Sequence, residues 1–302
     1  MNPEILKLFY SHTFIDTIIS IFLLFFSITF TIYVRNILQL NKILTFYIFL
    51  IHTLIFPFYM FFLFSNGTDS LSYFIHFKTY TFNELETGRV FMHQLIFFFD
   101  ALKLNFYNIN YLFSIFSLFS FYLYLKIFEK IEIKDKFNYY FIFSLFCLPS
   151  IHFWHMGYSK DTITFICISL IIYEMLKSKT SLVIIIFPII ILYFVRVHVC
   201  LIALISITLY YFFNSKKLIT KFWFIMFLSF ITPYLLSEIF NFTDLKSIFE
   251  FLNIFRDLYT QQESTALYSD TNLILKLIYY IFSPNLFSIK DFNLFYLYIA
   301  FE

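Results

Sequence analysis

The sequence predicts an all-α protein: a polytopic bundle of about eight transmembrane helices with short interfacial segments. Three observations lead to this prediction. The composition is 61% apolar and only 13% charged, whereas soluble proteins carry roughly 25% charged residues. Apolar runs without charges recur along the chain, and Lys and Arg gather in alternate connections between them. We therefore expect a single integral-membrane domain over residues 1–302, surrounded by a lipid bilayer.

Eight apolar runs are long enough, or nearly so, to cross a hydrocarbon core of roughly 30 Å. They cover residues 17–34, 43–68, 104–125, 137–159, 162–173, 180–195, 197–215 and 222–237. The shorter runs are extended by end residues such as Glu174 and Lys177, whose charged groups reach the interface. Three further runs are too short to span alone and are expected to be interfacial, re-entrant or incomplete, at 90–99, 277–289 and 292–301.

Positive charges predict which way each loop faces, because cytoplasmic loops carry an excess of Lys and Arg. With eight spans, the basic loops all fall on one side, at 35–42, 126–136, 177–179 and 216–221. The N-terminus and the long acidic loops 65–103 and 241–276 then lie outside. The first span lacks a cleavage pattern and is expected to be retained. The last apolar run has no basic residues after it, which predicts a truncated C-terminus or an end lying flat in the interface.

Residues 180–215 are apolar except for Arg196, His198 and a few hydroxyl groups. One helix of that length would extend roughly 54 Å, well beyond the bilayer core. It would also move the basic loop 216–221 to the outside. The sequence therefore predicts a hairpin that turns near Arg196 on the outer face.

The central connection 149–161 joins two apolar runs on the predicted outer face. Ser159 is expected to cap the helix that follows. The N-terminus of that helix, together with Lys160, would suit a phosphate or pyrophosphate. Asp161 has three open roles: a cap, a partner of Lys160, or a partner of Arg196 across the cavity.

Other polar residues near this connection each allow two interpretations of their role. Arg196 could bind a phosphate in bidentate fashion, with His198 two residues away, or its side chain could reach the interface. Trp154 is a candidate for substrate binding, or an interfacial anchor only. We interpret His152 and His155 as core histidines rather than site residues.

The first outer loop supplies an acidic and a basic group. Asp69 and Tyr73 are four residues apart and share a helical face. Asp69 could act as a general base or hold a divalent metal ion, or it could cap a short helix. Arg89 and His93 also share a face and could line the same cavity, although a solvated edge is the alternative.

The sequence also excludes some classes of function. The formal net charge is +2, and no basic run typical of nucleic-acid binding is present. Cys147, Cys167 and Cys200 lie inside apolar runs without metal-ligand spacing. We interpret them as buried thiols, and we predict no cysteine metal site.

Taken together, these residues give the chain a family resemblance. It resembles multispanning proteins of bacterial surface-polysaccharide gene clusters, namely the GT-C glycosyltransferases and O-antigen-polymerase-like proteins. The matching motifs, in chain order, are Asp69-x-x-x-Tyr73, Pro149-Ser150, Trp154, Lys160-Asp161, Arg196-x-His198 and Ser283-Pro284. The chain departs from the family in lacking a large periplasmic domain.

The resemblance implies a location in the bacterial inner membrane and a polyprenyl-phosphate-linked sugar as donor. It implies that Asp69 is the catalytic base or a metal ligand. From their charge and position, Lys160 and Arg196 are expected to hold the donor phosphate. The expected function is transfer or polymerisation of lipid-linked sugars at the outer face. Two alternatives remain: a transporter or flippase for a lipid-linked glycan, and an inactive structural subunit. A transporter would need ionisable groups along a path through the membrane, whereas the sequence places them at one face.

Overall fold

The computed structural model describes residues 14–66, 69–77, 86–131, 136–177 and 180–216, with isolated positions between 219 and 229. Within these ranges the chain forms ten α-helices and no β-strand. The helices are α1 (Phe14–Leu38), α2 (Lys42–Asn66), α3 (Asp69–His76), α4 (Arg89–Ala101), α5 (Phe106–Lys130), α6 (Lys136–Phe146), α7 (Pro149–Trp154), α8 (Lys160–Met175), α9 (Leu182–Val195) and α10 (Val197–Asn214). The all-α prediction is confirmed for the described part of the chain.

Contacts between α-carbons divide the chain into two compact units that meet in sequence after Arg196. In the described ranges, the first unit contains α1 to α9 and the second contains α10. The first unit carries the candidate site. In the second unit, α10 is an apolar helix of 18 residues.

Four of the described helices are long and apolar enough to cross a membrane, namely α1, α2, α5 and α10. This finding indicates a membrane protein, but the predicted number of about eight spans is not confirmed. Helix α8 has 16 residues and α9 has 14, so both are shorter than the roughly 20 residues that a span requires. The predicted span 222–237 and the outer loop 241–276 lie almost wholly outside the described residues.

The predicted span 137–159 is not one helix. It is divided into α6, α7 and an irregular segment, 155–159. Leu148 is extended, with φ −62° and ψ 128°, and Pro149 begins α7. A residue before proline is driven out of the helical region, and proline itself favours the first helical position. The sequence prediction counted apolar residues and missed this break.

The chain also breaks at Arg196, which is non-helical with φ −151° and ψ 89° between α9 and α10. A single helix over 180–215 is therefore excluded, as the sequence predicted from its length. The hairpin itself joins the two units, and its geometry stays a prediction.

Helix α5 is the centre of the first unit. It packs against α1, α2 and α8, while α9 packs against α8 and α4. Among the four long helices, α5 has the most buried membrane-length window. Two apolar clusters surround it, one near Phe56 and Met60 and the other around Phe121 and Tyr122.

One end of the first unit gathers the short elements. Helix α3 contacts α4, and α4 contacts α9. The segment 155–159 leads into the start of α8 at this end, beside the end of α9. We call this part of the first unit the site end.

Candidate functional site

Five charged residues converge at the site end: Asp69, Arg89, Lys160, Asp161 and Arg196. We call them the charged cluster. They come from α3, α4, the start of α8 and the end of α9. The other four charges all act electrostatically on the Lys160 ammonium. Residues up to 127 positions apart in sequence, 69 and 196, therefore share one site.

Helix α3 presents Asp69 to solvent and buries Tyr73 one turn later. The Tyr73 hydroxyl donates a long hydrogen bond of 3.4 Å to Oδ2 of Asp69. This contact confirms that the two side chains share a face. Arg89 on α4 is exposed, and its Nη2 donates to the Ser72 hydroxyl at 2.6 Å. The carboxylate and the guanidinium are thus held by one short helix.

His93 on α4 links this helix to α3. Its ring is buried, and Nδ1 lies 2.9 Å from the Tyr73 carbonyl oxygen. Burial lowers the pKa of His93, against the opposing effect of the Tyr73 carbonyl, and Arg89 lowers it further. Burial and the nearby Asp69 carboxylate raise the pKa of the Tyr73 hydroxyl. Both groups are therefore neutral at pH 7, and the charge on this side rests on Asp69 and Arg89.

The start of α8 is capped as the sequence predicted. The Ser159 side chain accepts a hydrogen bond from the Thr162 backbone N–H at 3.1 Å. Asp161 is paired with Arg196, whose Nη2 lies 2.5 Å from Oδ1 of Asp161. Of the three roles left open for Asp161, the structure selects the partner of Arg196.

Lys160 is half-buried at the start of α8. Within the described residues, its ammonium forms no ion pair within 4.0 Å and no hydrogen bond. Burial lowers its pKa, while Asp69 and Asp161 raise it and the two arginines lower it. A partly desolvated cation without a close partner is suited to receive an anion.

Gly88 lies against the side chain of Lys160 and joins two elements of the site end. Its φ is +72°, and a β-carbon built on it would lie 3.9 Å from Nζ of Lys160. Its N–H donates to the carbonyl oxygen of Phe194, two residues before Arg196. Since Arg89 follows Gly88 and Arg196 lies two residues after Phe194, this bond brings together the two segments whose arginines act on Lys160.

Two predicted substrate-binding residues, Trp154 and His198, are not among the groups whose charges act on Lys160. Trp154 is exposed at the end of α7, and its ring packs against Phe62 and Phe153. This packing suits the alternative role of an interfacial anchor. His198 lies on α10 in the second unit, where its side chain is exposed.

The sequence reading missed the buried polar residues that support the site. Asn110 on α5 is fully buried, and its Oδ1 accepts hydrogen bonds from the Tyr158 N–H and the Ser70 hydroxyl. It was overlooked because a single Asn in an apolar run is common. The signal that would have found it is the series of polar residues at Asn110, Ser114 and Ser117, which fall on one helical face.

A second missed feature is a histidine pair inside the first unit. Nδ1 of His52 lies 3.0 Å from Nδ1 of His152, and Nε2 of His52 lies 3.0 Å from the Ser114 carbonyl oxygen. Both rings are buried, and that of His152 stacks on Phe121 at 4.1 Å. The interpretation of His152 as a core histidine agrees with its burial. Its pairing with His52, near the middle of α2, was not foreseen.

Within the described part of the chain, no group of three or more His, Cys, Asp or Glu residues is placed to hold a metal ion. Comparisons with known proteins give no assignment either: no family model, curated protein or solved structure matches the chain. The chemistry must therefore be argued from the charged cluster. It offers an exposed carboxylate, Asp69, beside an unpaired ammonium, Lys160, and two arginines.

Proposed function

We propose that the protein transfers or polymerises polyprenyl-phosphate-linked sugars at the extracytoplasmic face of the bacterial inner membrane. The observation that carries this proposal is the ammonium of Lys160, which has no ion-pair partner among the described residues and on which Asp69, Asp161 and two arginines act. A phosphate attached to a lipid would approach from the bilayer beside the apolar helices. Its sugar would face the water at the site end.

The cluster contains the groups that sugar transfer from a lipid phosphate requires. Asp69 is exposed and would take the proton from an acceptor hydroxyl. The hydroxyl oxygen then bonds to the anomeric carbon as the bond from that carbon to the phosphate oxygen breaks. The electron pair leaves with the lipid phosphate, and Lys160 and Arg196 stabilise its charge.

Arg89 is the third cation of the site. Its guanidinium donates to the Ser72 hydroxyl, and Ser72 lies three residues after Asp69 on the same face of α3. It would orient the phosphate or a sugar hydroxyl beside the base. Every step in this proposal uses residues of the chain, and a divalent metal ion at Asp69 remains an open addition.

The experiment that tests this proposal is mass spectrometry of lipid-linked glycans in cells that lack the gene. Accumulation of a complete repeat unit would indicate a polymerase, and a unit short by one sugar would indicate a transferase. Cells complemented with Asp69→Asn should keep the defect, because the amide cannot take the proton. An unchanged glycan profile in the cells without the gene would overturn the proposal.

A matched control is available on α4. Asp100, in the last turn of the helix that Arg89 begins, is also an exposed carboxylate, but it is not among the charges that act on Lys160. Asp100→Asn should therefore restore the glycans when Asp69→Asn does not, at equal membrane levels. Lys160→Met and Lys103→Met form a second pair, because Lys103 is exposed and does not act on Lys160 either.

One observation favours the transport alternative. The expectation that ionisable groups lie only at one face did not include His52 and His152, which pair inside the bundle. The buried Ser117 hydroxyl on α5 has no hydrogen-bond partner among the described residues. Buried polar groups of this kind are expected along the path of a transporter.

The two functions can be separated in liposomes that contain the purified protein. The probe is a short-chain polyprenyl-phosphate sugar with a fluorescent label, quenched from the outside. A flippase would move the probe between leaflets, and His52→Gln or His152→Gln would slow this movement while Asp69→Asn would not. For a transferase, the measured quantity is product formation. Asp69→Asn would slow product formation, and His52→Gln or His152→Gln would not.

A further inference from the structure

Asn110 bonds to two residues that are near neighbours in sequence of Asp69 and Lys160. Its Oδ1 accepts from the Ser70 hydroxyl at 3.2 Å and from the Tyr158 N–H at 2.9 Å. Ser70 follows Asp69 in sequence, and Tyr158 stands two residues before Lys160. Nδ2 donates to the Phe106 carbonyl oxygen at 2.8 Å, within α5. Because a backbone N–H can only donate, this arrangement also fixes the orientation of the amide.

The neighbouring residues are adapted to this amide. Gly157 passes so close that a β-carbon on it would lie 2.6 Å from Oδ1 of Asn110. The Tyr158 hydroxyl donates to the Met92 carbonyl oxygen on α4. The backbone before α8 is therefore fixed to α5 through Asn110 and to α4 through Met92, and α3 is fixed to the same amide.

We infer that Asn110 is a positioning residue, which holds the carboxylate half of the site, Asp69, in register with the cationic half, Lys160. The inference rests on the proposed function for the meaning of the site. The coupling that it describes can be measured without any assay of sugar transfer. No other side chain among the described residues bonds to both Ser70 and Tyr158.

Asn108 provides a matched control on the same helix. It is also fully buried, but its Oδ1 accepts from Ser20 on α1, away from the charged cluster. Asn110→Leu and Asn108→Leu thus each replace one buried side-chain amide of α5 with the same apolar side chain. Only the first removes the acceptor that the Tyr158 N–H and the Ser70 hydroxyl share.

The experiment measures the rate at which Lys160 is acylated as a function of pH, by mass spectrometry of the purified protein. In Asn110→Leu the profile should shift to higher pH, towards that of the denatured chain. The freed segment exposes Lys160, and its pKa therefore rises. The inorganic pyrophosphate concentration that halves labelling of Lys160 should rise about tenfold, within the usual range of coupling between sites. Asn108→Leu should change neither quantity.

Each outcome has a distinct meaning. If the wild-type and Asn110→Leu profiles coincide, or if Asn108→Leu shifts its profile equally, the positioning role is wrong. If pyrophosphate does not protect Lys160 in the wild type while the Asn110→Leu profile moves, the anion site fails and the positioning role stands. If Asn110→Leu does not fold, Asn110→Ala is measured against Asn108→Ala, since a smaller side chain lets water reach the freed groups.

Discussion

Gly157 lies against the ring of Tyr59 with no space for a side chain between them. A β-carbon on Gly157 would fall 2.3 Å from Cε1 and 2.6 Å from the hydroxyl oxygen of Tyr59. Its φ of +71° is also one that other residues rarely adopt. The close approach brings the segment before α8 down onto α2 and α5, which fixes where Lys160 emerges.

Gly157→Ala is therefore expected to destabilise the protein more than Gly88→Ala. Both glycines have a positive φ, and such backbone strain costs roughly 1–3 kcal/mol for alanine. At Gly88 the nearest atom is 3.9 Å away, at the end of the flexible Lys160 side chain. At Gly157 the clash with Tyr59 and Asn110 adds about 1–3 kcal/mol of overpacking. Thermal unfolding of both variants in the same detergent measures the difference, and equal losses would contradict the close approach.

The ion pair between Asp161 and Arg196 should contribute little to stability. Its side chains are 50% and 29% exposed, and exposed pairs are worth about 0–1 kcal/mol. A double-mutant cycle with Asp161→Asn and Arg196→Gln should give a coupling below about 1 kcal/mol. The pair should matter more for binding, because Asp161 neutralises a cation beside Lys160. Asp161→Asn should strengthen pyrophosphate protection of Lys160 and Arg196→Gln should weaken it, and effects of the same sign would contradict this role.

Lys160 should give the folded protein a defined pH dependence. Burial lowers its pKa below the usual value of 10.5, so the unfolded chain holds this proton at pH values where the folded chain has released it. Stability due to Lys160 therefore rises as pH increases from the folded pKa towards 10.5. Unfolding of wild type and Lys160→Met across this alkaline window measures the effect. A wild-type stability that falls relative to Lys160→Met as pH rises would contradict the burial of the ammonium.

Much of the charged cluster could be predicted from residue type alone. Lys160, Asp161 and Arg196 are ionisable groups at the ends of apolar runs. Charge is costly there, so such residues are candidates for a functional site. Their order in the sequence did not show which pairs would form, because an ion pair between Asp161 and Arg196 depends on how α8 and α9 pack. The sequence therefore left three roles open for Asp161, and only the packing of α8 and α9 distinguished them.

The supporting residues could not be predicted in the same way. Asn110 and His52 each lie in an apolar run, and their partners lie 48 and 100 residues away in sequence. Their importance arises from packing rather than from local pattern. The break before Pro149 was available from the sequence, since proline limits the residue before it. Counting apolar residues over 137–159 concealed that break.

The sequence predicts that the charged cluster faces outward, and this orientation can be measured. Cysteines at positions 69, 160 and 196, placed in a protein with Ser at positions 147, 167 and 200, should react with a membrane-impermeant thiol reagent added to intact cells. Cysteines at positions 126 and 177 should react only after the membrane is opened, because these lysines belong to the basic loops. The reverse pattern would place the cluster in the cytoplasm and remove the basis for transfer at the outer face.

The histidine pair should be seen in the energetics of unfolding. His52 and His152 are buried and joined at 3.0 Å through their Nδ1 atoms. In this bond one ring must donate and the other accept, so the tautomer of each ring depends on its partner. His152→Leu leaves the His52 ring with an unmatched nitrogen, which is expected to cost about 1–3 kcal/mol. His52→Leu leaves His152 in the same condition.

The double variant His52→Leu with His152→Leu removes both polar groups together. Its loss of stability should be smaller than the sum of the two single losses, since replacement of both partners by apolar groups is much less costly than orphaning one. The matched control is His155→Leu, whose Nδ1 bonds to the Ile151 carbonyl oxygen on its own segment. Combined with His52→Leu, it should depart from additivity less than His152→Leu does, because the structure shows no hydrogen bond between the described rings of His52 and His155. Additive losses for His52 and His152 would show that the two rings do not pair, and would remove the observation that favours transport.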